Sequence, residues 1–398
     1  MPSARRTSTL TATVLALVAT LGVAGCADFA QEAAPTSWHS AAPLSPEAAP
    51  NPEVPGMDGG SNGTTATGDP SSSTSVPPPR GCQDFNPAVI ATCLNPISAV
   101  AMLPGTGADP IGLVAERGTG RILRVQKGHT PVLVTTVPVD AVGDGGLTGL
   151  ALSPTYGEDQ LVFAYVTTAT DNRVLMIAPG DAPRPIVTGI PRGSTNNRGA
   201  LALDNQGALL VATGNAGDPA AAGNPTSLAG KVLRIDVDGQ PAAGNPHPGS
   251  SIVASGVADP GGLCASQDGS QAWLTDRLST EDALYKLRFG TAVGAPAWAW
   301  PDRPGVAGCA AYGGSIMIAM STAAEVQTLS LNSDGSFSGT PQVGLKSPGG
   351  FGRLSGVDAI GGQAAMVGTV NKDGGKPVSS DDRVVLIVGS SATGSSQD

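Results

Sequence analysis

From Ile97 onward the chain repeats one pattern six times: a short strand of the G-h-A-h type, a turn containing Gly, an apolar strand, a variable loop and a second apolar strand. The apolar strands at the centre of the copies contain Leu113-Val114-Ala115, Val162-Phe163-Ala164, Leu210-Val211-Ala212, Ala272-Trp273-Leu274, Ile316-Met317-Ile318 and Ala365-Met366-Val367, at offsets of 49, 48, 62, 44 and 49 residues. Return strands follow at Ile122–Val125, Val174–Ile177, Val232–Ile235, Leu284–Leu287, Val326–Leu331 and Val384–Val388. Short apolar runs bounded by Gly, Asn and Asp read as strands. A strand unit recurring every 40 to 50 residues or so has the period of a β-propeller blade. Six blades closed into a ring leave no long exposed edge. The sequence therefore predicts an all-β, six-bladed β-propeller over residues 81–390.

Composition agrees with many turns and short strands: 55 Gly, 34 Pro and 14% charged residues in 398. A net charge of -10 argues against nucleic acid and against an anionic membrane face as partners, since both need a basic patch. Any membrane attachment must then be covalent or hydrophobic. Arg5 and Arg6 precede an apolar run from Leu10 to Gly25 that ends in Val23-Ala24-Gly25-Cys26. That pattern reads as a lipoprotein signal peptide, residues 1–25, with Cys26 as the new N-terminus carrying diacylglycerol and acyl chains such as palmitate. Residues 26–80 are Ala, Pro, Ser, Gly and Thr with few large apolar side chains, a disordered tether; residues 391–398 read as a flexible tail. The expected location is the outer face of the cytoplasmic membrane, in the cell envelope, and the expected state a monomer.

With Cys26 lipidated, Cys82, Cys93, Cys264 and Cys309 remain, an even number in an exported chain, so two disulfides are expected. Three pairings are open; Cys82 with Cys93 and Cys264 with Cys309, joining neighbouring repeats, is the favoured one. No closely spaced thiol pair suggests a metal site. His129 and His247 each lie in a turn without another His or a carboxylate at ligand spacing, and read as solvated. Asp236-Val237-Asp238-Gly239 and Asn332-Ser333-Asp334-Gly335 read as hairpin turns rather than calcium loops.

The stretch Gly189–Asp236, with no run long enough for a helix, reads strand, turn, strand, loop, strand. Its TGNAGDP and SLAGKVLRID, with the DGQPAAGNP that follows, resemble the glucose/sorbosone dehydrogenase family. So do GDGGLTGLALSPTY at Gly143–Tyr156, DNRV at Asp171–Val174 and Trp300-Pro301. Together with the lipobox and tether, these motifs are similar to a mycobacterial lipoprotein. The resemblance implies a propeller that oxidises sugars with pyrroloquinoline quinone (PQQ) and calcium, but several matching positions differ. Asn196 stands where the family has its catalytic His, and a carboxamide cannot serve as a general base near neutral pH. Ala258 stands where an Arg meets the PQQ carboxylates, so the resemblance implies that the cationic clamp is lost. Arg277, beside Asp276, brings a positive charge to the presumed calcium segment. The candidate cavity residues are Asp144, Asn196, Asn197, Arg198, Ala258, Asp276 and Arg277.

Two functions follow. The favoured one is a lipid-anchored propeller without PQQ-dependent catalysis that binds a sugar, another envelope ligand or a protein. The alternative is an active PQQ-dependent sugar dehydrogenase, with PQQ and calcium as cofactors and His247 as a substitute base.

Overall fold

A computed structural model describes residues 76–105, 109–346, 349–360 and 364–388; the signal peptide, Cys26, nearly all of the tether and the tail 391–398 lie outside these. The fold is a six-bladed β-propeller. Each blade is built on an antiparallel sheet whose strands run in chain order from the axis outward, except at the outer edges of blades 3 and 6. Blade 1 is Ile97–Met102, Ile111–Glu116, Arg121–Gln126 and Val132–Thr136. Blade 2 is Leu147–Leu152, Val162–Thr167, Asn172–Ile177 and Arg184–Ile190. Blade 3 is Gly199–Leu203, Leu209–Thr213, Lys231–Ile235 and Ile252–Ser255, with Thr291–Ala292 added in parallel at its edge. Blade 4 is Pro260–Ala265, Ala272–Arg277, Asp282–Lys286 and Trp298–Trp300. Blade 5 is Val306–Tyr312, Ser315–Met320, Glu325–Leu331 and Phe337–Gly344. Blade 6 is Leu354–Ile360, Ala364–Thr369 and Val384–Val388, and its outermost strand is Val89–Ala91 from the other end of the domain.

All six predicted central runs fall in the second strand of a blade. The outer strands were not in the predicted pattern: they are short or exposed, as in Val132–Thr136, so they lack the buried apolar runs by which strands are read. Neither was Val89–Ala91, whose partner lies almost three hundred residues away. One further correction concerns Gly189–Asp236, which holds a short helix, Pro219–Gly223. The Asp218 carboxylate accepts from the Ala220 and Ala221 amides and Pro219 starts the helix, so capping chemistry rather than apolar periodicity makes it. Both Asp-Gly segments are turns, with Gly239 and Gly335 at positive φ and the Asp236 and Asp334 carboxylates accepting local amides.

Apolar side chains pack into six wedges, one between each pair of neighbouring blades, and each inner strand touches the inner strands of the two blades beside it. The Cys264–Cys309 disulfide joins the inner strands of blades 4 and 5, with Cα atoms 5.7 Å apart; Cys82–Cys93 clips the segment that leads into blade 1.

The seam between blades 6 and 1, where the ring closes, is dense in satisfied charge. The Arg383 guanidinium donates to Asp381 Oδ1 at 2.7 Å, Asp84 Oδ2 at 3.1 Å and the Phe351 carbonyl at 3.1 Å, and lies 5.3 Å from the centre of the Phe351 ring. Lys372 Nζ donates to the Leu94 carbonyl. The N-terminal segment is thus held by a strand, a disulfide and charged hydrogen bonds.

Candidate functional site

The six inner strands share one alignment, and it decides what faces the axis. Ser98, Thr148, Gly261, Ala307 and Ser355 are second in their strands and Gly199 opens the strand of blade 3, and all six line a cavity of about 210 Å³ at one axial mouth. In five of the six blades the pairing to the second strand is irregular at this point, spanning Ile97/Ala99, Leu147/Gly149, Pro260/Gly262, Val306/Cys309 and Leu354/Val357. Such bulges re-aim side chains beside sites. Blade 3 lacks one, and there Gly199 is required on space: a Cβ would lie 2.4 Å from the ring of the fully buried Tyr165. Two positions further along, Val100, Leu150, Leu201, Leu263, Cys309 and Val357 turn the channel apolar.

Four arginines line the mouth. Arg198 and Arg353 each immediately precede an inner strand, in blades 3 and 6; Arg117 follows, and Arg277 ends, the second strand of blades 1 and 4. Each pair is three blades apart in a ring of six, so each pair faces across the axis. Arg117 donates to the carbonyls of Ala141, Gly143 and Gly145 and pairs with Asp373 at 2.9 Å. Arg277 donates to the Val306 and Gly305 carbonyls and to Ser321 Oγ. Burial and the nearby Arg198 lower its pKa to about 9, with Asp259 and Asp282 opposing, so it stays charged at neutral pH. Arg198 Nη1 lies 2.9 Å from Asp259 Oδ2. Among the described residues Arg353 has no hydrogen-bond or ion-pair partner for its side chain, and its Nε is buried.

Behind the arginines lies a group of carboxylates. Asp144 accepts from the amides of Asn196 and Asn197 at 2.6 and 3.2 Å. Asp259 is pushed up chiefly by burial, and further by the charge of Asp144, against Arg198 and Arg277. Asp276 is wholly buried and accepts from the amides of Ala258 and Asp259; burial raises it to about 6 against those two bonds. Among the described residues no group of three or more His, Cys, Asp or Glu could hold a metal ion.

Of the predicted cavity residues, Asp144, Arg198 and Arg277 line the mouth. Asn196 and Asn197 instead build its rim. Asn196 adopts φ 58°, a left-handed conformation that Asn tolerates, and its Nδ2 donates to Asn215 Oδ1 while its Oδ1 accepts from Thr195. Asn197 is buried, bonded to Gly193 and Asp144. Ala258 and Asp276 sit behind the lining. With Ala at position 258 the mouth still has arginines, because Arg117 and Arg353 enter from blades 1 and 6, beyond the local motif. One signal for Arg353 was present, since Arg353, like Arg198, immediately precedes the inner strand of its blade. His129 lies in an exposed turn, and His247 lines a separate hollow beside blade 3.

Residues 95–299 match the glucose/sorbosone dehydrogenase family. The chain belongs to that family. Among solved structures it is similar to the PQQ-bound aldose sugar dehydrogenase of Streptomyces coelicolor, 30% identical over 78% of this chain and 100% of that one, with a TM-score of 0.67. It is also similar to a putative oxidoreductase (glucose dehydrogenase) of Thermus thermophilus, 28% identical over 75% and 98%, TM-score 0.63. The soluble aldose sugar dehydrogenase of Escherichia coli, at 20% identity and TM-score 0.64, shares the fold. No curated protein matches the chain in sequence.

Proposed function

We propose that this family member is a lipid-anchored envelope protein, similar to a mycobacterial lipoprotein, whose axial mouth binds a ligand without oxidising a sugar. The observation that carries the reading is Asn196. At the position of the family's base it offers a carboxamide already engaged by Asn215 and Thr195, and no His lines the mouth. The carboxylates there are occupied as acceptors, Asp144 by backbone amides and Asp373 by Arg117. Positioned bases typically supply a factor of about 100 to 10,000, so their loss suffices to silence the chemistry.

PQQ, the cofactor named for the Streptomyces relative, fits the mouth on charge, since guanidiniums suit carboxylates. On chemistry and size it does not fit: the base is missing, and about 210 Å³ falls below the roughly 300–1,000 Å³ usual for pockets that enclose organic ligands. The second reading, an active PQQ-dependent sugar dehydrogenase, is favoured by those four arginines and by that relative. A dye-linked assay of the purified protein with PQQ, calcium and aldoses separates the two. The expected result is no turnover above a PQQ-free control; sustained turnover overturns the first reading.

A further inference from the structure

The unpartnered guanidinium of Arg353 asks for a ligand. Other cations in this molecule are bonded: the half-buried Arg277 to two carbonyls and a hydroxyl, the buried Arg383 to two carboxylates and a carbonyl, and the fully buried Lys231 Nζ to the carbonyls of Ala221, Ala222 and Ala229. Such groups are costly when left without acceptors. Arg353 faces a small polar cavity in which its acceptors can only be water or a bound molecule. Arg198 meets that cavity from the opposite blade. The lining sets four guanidiniums against Asp144 and Asp373, with Asp259 paired to Arg198 just behind it.

Resting on the reading that the mouth is a binding site, we infer that its ligand is a tetrahedral oxyanion, free phosphate or the head of a phosphomonoester, held between Arg353 and Arg198. A carboxylate offers its paired oxygens to one side only. A phosphate offers oxygen edges to guanidiniums arriving from opposite blades, and each fork can engage two oxygens at once. Its size suits the cavity where a larger organic anion is crowded. Ser98 and Ser355 on the floor already donate to backbone carbonyls, so they offer lone pairs and the arginines supply the attraction.

The test is calorimetric titration of the full chain in detergent, in a phosphate-free buffer, with sodium phosphate, glucose 6-phosphate and glucose. One saturable phosphate site is expected, weakened by at least about tenfold in Arg353→Met, partly restored in Arg353→Lys, and weakening as sodium chloride is raised. Glucose 6-phosphate binding more tightly than phosphate identifies a phosphomonoester as the ligand; equal affinities identify the free anion. Arg198→Lys serves as an independent second variant and should weaken phosphate as well. Phosphate that gives no saturable heat, or binds Arg353→Met as it binds wild type, overturns the inference. Glucose binding where phosphate does not would sink the oxyanion and leave the binding reading standing, whereas PQQ-dependent turnover strikes at that reading instead.

Discussion

The closing seam and the axial mouth both gather arginines and aspartates, but they satisfy them differently. At the seam Arg383 is nearly enclosed and reaches Asp84, Asp381, the Phe351 carbonyl and the Phe351 ring, so its bonding is complete within the chain. At the mouth Arg353 has no partner, and Arg198 has one carboxylate whose other oxygen, Asp259 Oδ1, is buried and unbonded. A complete network fixes structure; an incomplete one in a cavity leaves capacity for a ligand. Substitutions can break the contrast from either side.

The largest difference should separate Arg383 from Arg353. Arg383→Met leaves Asp84 and Asp381 buried without their cation, and removal of one partner from a buried ion pair costs about 3–5 kcal/mol. Arg353→Met removes no bond the chain makes, so its stability should stay within about 0.5 kcal/mol of wild type. Urea denaturation of the two variants measures both. Equal losses would erase the distinction between seam and mouth.

Next in size is the clip that delivers Val89–Ala91 to blade 6. Replacing Cys82 and Cys93 by Ala opens a loop of 11 residues, and closing a loop of that size is worth about 3 kcal/mol through the unfolded chain. Hydrogen exchange should show added opening confined to the blade 6–blade 1 seam, with the Cys264–Cys309 side of the ring as protected as before. Loosening spread evenly around the ring would mean that closure does not depend on this segment.

A smaller effect should come from Asp276. Its folded pKa of about 6 lies above the unfolded value near 3.9, so the folded state keeps a proton that the unfolded chain releases. Stability then falls as pH rises from about 4 to 6 and levels off above, by at most about 3 kcal/mol from this group. Asp276→Asn should flatten that decline in thermal melts. An unchanged pH profile would mean that the carboxylate is ionised throughout.

The blade period, the six central strands, the Asp-Gly turns and the favoured cysteine pairing were legible because each depends on neighbours in sequence or on a repeat that sequence displays. Asp144, Arg198 and Arg277 were legible as site residues because they lie in or beside motifs of the family. Arg117 and Arg353 were not. Each belongs to an ordinary-looking Gly-rich segment, and its role comes from where the ring brings it.

By itself the sequence determined a repeating strand unit that must close on its copies to bury its faces. Only the tertiary structure decided how the ring closes and what charge its mouth carries. Val89–Ala91 completes blade 6 because the last sheet has an open edge that no local pattern announces. The arginines from blades 1, 3, 4 and 6 share one cavity because each inner strand begins at the axis, so residues spread from Arg117 to Arg353 meet there. Charge at a ring's axis is a sum over all its blades, and no single repeat contains that sum.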